Sequence, residues 1–179
     1  MSRNALSPGD PDFGALFASC ERSAVHVELR DVYALDEEDA DFAAWFAGQV
    51  TDEDEAARES EFLDHVAAAA ARGVALRRVR VVSEPISRYV RYEHAATTAN
   101  VRAGEHVRWL SRANAWDLLM PALDCWIFDG SLLLLHHFDG DGRWRGHEFS
   151  NVPEVVKLYA EAFEQLWERG TPHAEYAVD

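Results

Sequence analysis

The stretch that most limits what this chain can fold into is residues 73–94, GVALRRVRVVSEPISRYVRYEH. Val74, Leu76, Val79, Val81 and Val82 make it a strand, and Gly73 ends whatever precedes it. Ser83-Glu84-Pro85 then stops the strand. Pro85 suits the first position of a following helix, with Ser83 or Glu84 as its cap. Three arginines, Arg77, Arg78 and Arg80, sit inside the strand. A strand buried on both faces is normally apolar throughout, so this one reads as half exposed, at an edge, or holding an anionic group.

The flanking sequence supplies more of both element types. Residues 1–9 read as a loose tail with Ser7-Pro8-Gly9 as breakers, and residues 10–179 as one globular domain. Phe13, Leu16, Phe17 and Cys20 form a helical stripe. Val25, Val27 and Leu29 alternate with His26, Glu28 and Arg30, the pattern of a half-buried strand. Residues 36–47 predict a helix with a Phe42, Trp45, Phe46 face. Residues 51–72 predict an alanine-rich helix with acid in its first turn. After the central strand and helix, residues 100–104 read as a loop and 106–110 as a short strand. Residues 112–120 read as a turn or two of helix. Three strands follow over 124–128, 132–138 and 143–149, joined by Asp129-Gly130 and Asp139-Gly140-Asp141-Gly142. A last helix, capped by Asn151 with Pro153 in its first turn, presents Val155, Leu158, Tyr159, Phe163, Leu166 and Trp167. The sum is an α/β domain, with α+β as the alternative: a mixed sheet flanked by helices.

Charge narrows the function. With 17 basic and 32 acidic residues the net charge is −15, which disfavours direct contact with nucleic acid or an anionic membrane. Two cysteines, Cys20 and Cys125, suit free thiols, and the opening residues lack the apolar core of a signal peptide. A cytoplasmic location is the expectation.

No stretch carries a known catalytic signature: there is no P-loop, GxGxxG, GxSxG, HExxH or CxxC. Arg78 and Arg80 point to one side of their strand, with Arg108 expected nearby, and could hold a carboxylate or phosphate. Internal pairing with Glu84, Glu93 or Asp124 is the plainer reading, given the excess of acid. His136 and His137 are adjacent on a strand and therefore face opposite ways, so one in the core and one outside is preferred to a metal site. The Asp139–Gly142 run lacks the glutamate an EF-hand needs, since position 150 is Ser150. No cofactor is expected.

The blocks HVELRDVY, RRVRVVSEPISRYVRYEH, NVRAGEHVRWL, DCWIFDG, FDGDGRW and FEQLW resemble, in order and over residues 13–176, an actinobacterial family known only as a domain of unknown function. The resemblance implies genes near helix-turn-helix regulators and hence a regulatory partner. A weaker resemblance is to phospholipase D-like domains, whose hairpin carries His-x-Lys-x4-Asp-Gly. If Asp129-Gly130 is the final pair, the lysine position holds Asp124 and the nucleophile position Ala122. Alanine cannot attack phosphorus and aspartate would repel phosphate, so the resemblance implies a degenerate, non-catalytic copy serving as a sensing or dimerising module.

The leading expectation is a non-catalytic regulatory or sensing domain. It would bind a protein partner, such as a helix-turn-helix regulator, through the acidic residues 36–61, or else a small ligand; a homodimer is allowed. The expected ligand-binding residues are Arg78, Arg80, Glu84, Tyr89, Glu93, Arg108, Asp124 and Asp129. The rival is a hydrolase of phosphate or glycosidic substrates using Glu84, Glu93, Asp124 and Asp129, with His94 or His106 titrating. A third reading is a structural or antitoxin-like scaffold.

Overall fold

The computed structural model describes residues 6–33 and 36–178, residues 36–39 as backbone only. The elements in chain order are α1 (Phe13–Ser19), β1 (Ser23–Glu28), α2 (Asp36–Phe46), α3 (Asp52–Ala56), α4 (Glu61–Ala71), β2 (Ala75–Val82), α5 (Arg88–Arg102), β3 (His106–Ser111), β4 (Asp124–Phe128), β5 (Leu132–Phe138), β6 (Trp144–Ser150), α6 (Pro153–Arg169) and β7 (Thr171–Pro172). The strands form one seven-stranded sheet in the order β6-β5-β4-β1-β2-β3-β7. β1, β2 and β3 run parallel; β4, β5 and β6 form antiparallel hairpins joined to β1. The α/β expectation holds, with a mixed sheet.

The two sheet faces differ in chemistry. One face carries Val25, Val27, Val79, Val81, Cys125, Ile127, Leu133 and Leu135 and is sealed by Val156, Phe163 and Leu166 of α6. The other has two apolar patches: near α1 and α4, Ala24, Leu76, Trp126, Phe128 and Leu134 meet Phe17, Val66 and Ala69, and under α5, Val82 and Trp109 meet Val90. Between those patches its side chains, His26, Glu28, Arg78, Arg80 and Asp124, are polar, and α5 walls this part. β1 is therefore covered on both faces rather than half buried: His26 is as closed to solvent as its apolar neighbours.

Several boundaries differ from the sequence reading, each for a local reason. The single helix expected over 51–72 is two. Thr51 and Asp54 close a capping box on α3, and Ser60 starts α4 by accepting from the Leu63 amide. α5 is capped by Ser87, not by Ser83 or Glu84, and the Glu84–Pro85 peptide is cis. It also runs on to Arg102 through the expected loop, with Gly104 at φ 107° behind it. Val152 rather than Asn151 is the N-cap of α6, and Leu158 on that helix is exposed. Residues 112–115 form a single 3-10 turn. Ser7 exchanges two backbone hydrogen bonds with His147, so this part of the expected tail lies against β6.

Asp129 and Gly130 make the β4–β5 turn with positive φ at both positions, 52° and 64°. This is the backbone that Asp-Gly supplies most readily.

Candidate ligand-binding cleft

The polar part of the sheet face floors a cleft of about 360 Å³. Strand parity builds the floor. His26 and Glu28 stand beside Arg78 and Arg80 across β1–β2, Trp126 lies beside His26, and Asp124 beside His136. Phe13 of α1 with Phe62 and Leu63 of α4 wall one side. Tyr89, Tyr92, Glu93, Ala96 and Asn100 of α5 wall the other, and Tyr33 and Phe138 also contribute.

An ion network underlies the floor. Arg78 donates from Nε and Nη2 to Glu105 at 2.9 and 2.7 Å. Arg80 pairs through Nε with Glu28 at 2.7 Å and through Nη1 with Glu93. Glu28 also lies 3.5 Å from Arg78. Arg80 and Glu105 are among the most deeply buried side chains in the protein. Internal pairing is thus the observed state of the arginine strand. Glu93 is the one partner foreseen; Glu28 and Glu105 were not, and neither Glu84 nor Asp124 takes part.

Next to the network, Tyr33 donates to Asp124 Oδ2 at 2.5 Å and the Leu29 amide donates to Oδ1 at 2.9 Å. Burial raises the Asp124 carboxyl to about 6, the Tyr33 bond opposing it. His26 lies flat on Trp126, with ring centroids 4.1 Å apart. Burial, then the charge of Arg78, holds it well below the ordinary imidazole range. Burial, then His147 and His137, pushes His136 down to about 4.

These shifts predict an opposed pH dependence. The two imidazoles bind fewer protons folded than unfolded, so their stabilisation is complete above pH 6.5 and is lost as pH falls toward about 4. Asp124 binds more protons folded, so its contribution is present below its ordinary 3.8 and lost as pH rises through about 6. Asp124→Asn removes the second term. Urea melts should therefore show a steeper fall in stability between pH 6 and pH 4 for the variant than for the parent; equal slopes would contradict it.

Of the residues expected to bind a ligand, the structure brings together Arg78, Arg80, Tyr89, Glu93 and Asp124. The other three lie elsewhere. Arg108 pairs in register with Val79, which puts it on the α6 face; it stacks on Trp167 at 4.6 Å and donates to the Trp167 carbonyl. Glu84 accepts from the Tyr176 hydroxyl at the surface. Asp129 stands at the opposite end of β4 from Asp124 and accepts from the amides of Glu21, Arg22 and Ser23 at 2.9, 2.7 and 3.0 Å. Burial would raise its pKa, but those amides outweigh it and bring it to about 2. Asp129→Ala is expected to cost about 1–3 kcal/mol in a denaturant melt through the amides left unpaired. Asp129→Asn should cost less, since Asn keeps one acceptor and tolerates positive φ.

The sequence reading left out His26, Glu28, Tyr33 and Glu105, and weighed His136 only as a metal ligand. The alternation of β1 made His26 and Glu28 look solvent-facing. No local signal marked Glu105. Among the described residues, no cluster of three His, Cys, Asp or Glu side chains is arranged to hold a metal ion.

A mixed sheet with a helix-walled polar cleft on one face defines an α/β domain with a built concave site. The chain belongs to the family described as Domain of unknown function (DUF6879), whose model matches residues 11–178. No curated protein matches it. Among solved structures it is similar to Nuc, a phospholipase D family member from Salmonella typhimurium. Identity is 13%, the match covers 89% of this chain and 87% of that one, and the TM-score is 0.49. It is similar to NucT from Helicobacter pylori at 10% identity, over 89% and 87% of the two chains, with TM-score 0.47. Its likeness to the archaeal chromatin protein TrmBL2 has 13% identity over 88% of this chain and 48% of that one, with TM-score 0.50, and concerns the fold. Nuc belongs to the group that the weaker sequence resemblance names.

Proposed function

We propose that this domain binds a small ligand in the cleft without transforming it, and that a protein partner reads the occupied state. The observation that carries the reading is the cleft itself. Aromatic walls surround a few convergent polar groups on one face of the sheet, the concave, mostly apolar setting in which small-molecule sites are found. The hydrolase reading is weaker. Of its four carboxylates, Glu84 and Asp129 lie away from the cleft and Glu93 is bonded to Arg80. Asp124, its proton held to about pH 6, is the one group that favours that reading. Turnover of a chromogenic phosphodiester or glycoside, abolished by Asp124→Asn, would establish it.

The expected partner remains a DNA-binding regulator, since a net charge of −15 opposes direct DNA contact. No helix among the described residues is long and apolar enough to cross a membrane.

The cleft is tested by purifying the protein under native conditions, denaturing it and identifying released small molecules by mass spectrometry. Ala96→Trp places a bulky ring in the cleft from a half-buried position on α5. The parent should release a near-stoichiometric molecule and the folded variant should not. Equal release, or none from the parent, would oppose the reading.

A further inference from the structure

The cleft's charges are already satisfied from within. Arg78 is held by Glu105, and Arg80 by Glu28 and Glu93. At the rim, Arg58 is held by Asp41 at 2.5 Å with Glu55 at 3.7 Å. On the cleft floor an anionic ligand would have to displace Glu28, Glu93 or Glu105 from its guanidinium. A cationic one would have to displace a guanidinium, or take Asp124 from Tyr33 and the Leu29 amide. Either exchange leaves a buried charge uncompensated, which is strongly unfavourable.

Two lining groups are different. His26 Nδ1 and His136 Nε2 are buried without a hydrogen-bond partner; the nearest acidic oxygen to the first, Glu28 Oε1, is 3.7 Å away. His26 is only 7% exposed, and its ring lies 6.2 Å from that of His136. Buried polar atoms of this kind are normally paired, so two of them on residues that line one cleft point to an absent partner. A neutral imidazole offers one donor or one acceptor at each ring nitrogen, so the pair suits a ligand edge bearing donor and acceptor together. Around them Phe13, Phe62, Tyr92 and Phe138 supply aromatic surface, which favours a flat ring. The volume is at the small end of the roughly 300–1,000 Å³ typical of small-molecule sites.

We infer that the ligand is an uncharged, flat heterocycle of nucleobase or nucleoside size, its polar edge bonded to His26 Nδ1 and His136 Nε2. This rests on the ligand-binding reading of the cleft and adds the chemical class.

The test is calorimetric titration of the full chain with adenine, adenosine, cytosine and uridine, against adenosine monophosphate, inorganic phosphate, choline and glucose. At least one uncharged heterocycle should bind, and the charged probes and glucose should not. His136→Phe keeps a flat ring but removes the nitrogen, and should weaken that binding about tenfold, the worth of one hydrogen bond. His106→Phe, outside the cleft, should leave it unchanged. Tighter binding of phosphate or the monophosphate, failure of every heterocycle, or indifference to His136→Phe would overturn the inference. If the heterocycles fail while the native protein still releases a molecule that Ala96→Trp lacks, only the class falls. If nothing is released, the ligand-binding reading falls with it.

Discussion

Replacing Arg80 with methionine is expected to cost the fold about 3–5 kcal/mol, read as the shift in a urea melt. The side chain is 1% exposed and its guanidinium bridges Glu28 on the neighbouring strand and Glu93 on α5. Removing it takes from Glu93 its guanidinium partner and leaves the largely buried Glu28 with only Arg78, 3.5 Å away. Domains of this size have only about 5–15 kcal/mol in hand, so the variant should be near the edge of folding. The loss should shrink at lower pH, where the orphaned carboxylates protonate. Arg77, one position from Arg78, sets the contrast. It grips Glu164 with two hydrogen bonds of 3.0 and 2.6 Å, yet at the surface, and Arg77→Met should cost under about 1 kcal/mol. Similar losses for the two variants would mean the buried network contributes nothing beyond an ordinary surface pair.

Trp126→Ala should be comparably damaging, about 3–5 kcal/mol, for a different reason. Trp126 is 2% exposed and packs edge-on to Phe17 at 5.4 Å while lying flat beneath His26. Its loss opens a cavity in the α1–α4 patch of the core and also removes the platform that holds the His26 ring. Trp126→Phe fills most of the space and should lose less stability, but it shortens the platform. The two readouts therefore separate: the melt reports packing, and ligand release reports the cleft. A Trp126→Ala variant as stable as the parent would show that this part of the core is loosely packed.

The architecture was largely legible where local chemistry decides it. The hairpins announce themselves through Asp129-Gly130 and the run ending at Gly142, and β4, β5 and β6 fall within a residue of expectation. Helix ends were harder. Ser60 divides the alanine-rich segment without any glycine or proline to mark it, and α5 extends through Asn100 because nothing before Gly104 stops it. The site was half legible. Arg78 and Arg80 stood out as charged residues inside an apolar strand, and Asp124 was grouped with them as a polar candidate. Their partners did not, because pairing depends on register: Glu28 meets Arg80 only once β1 and β2 align in parallel. Arg108 was misplaced for the same reason, one step of register sending it through the sheet to Trp167. His26 read as a solvent-facing residue because alternation says which side a residue takes, not whether a helix will cover that side.

The most direct test of the cleft as a binding site is the imidazole ¹⁵N spectrum of the protein, recorded before and after adding a small-molecule extract of the cells that make it. The rings of His26 and His136 line the cleft, while His65 and His106 lie outside it. The account predicts that the His26 and His136 signals move together and saturate, with His65 and His106 unmoved. Signals of His26 and His136 that stay fixed while the extract binds elsewhere, or does not bind, would contradict it.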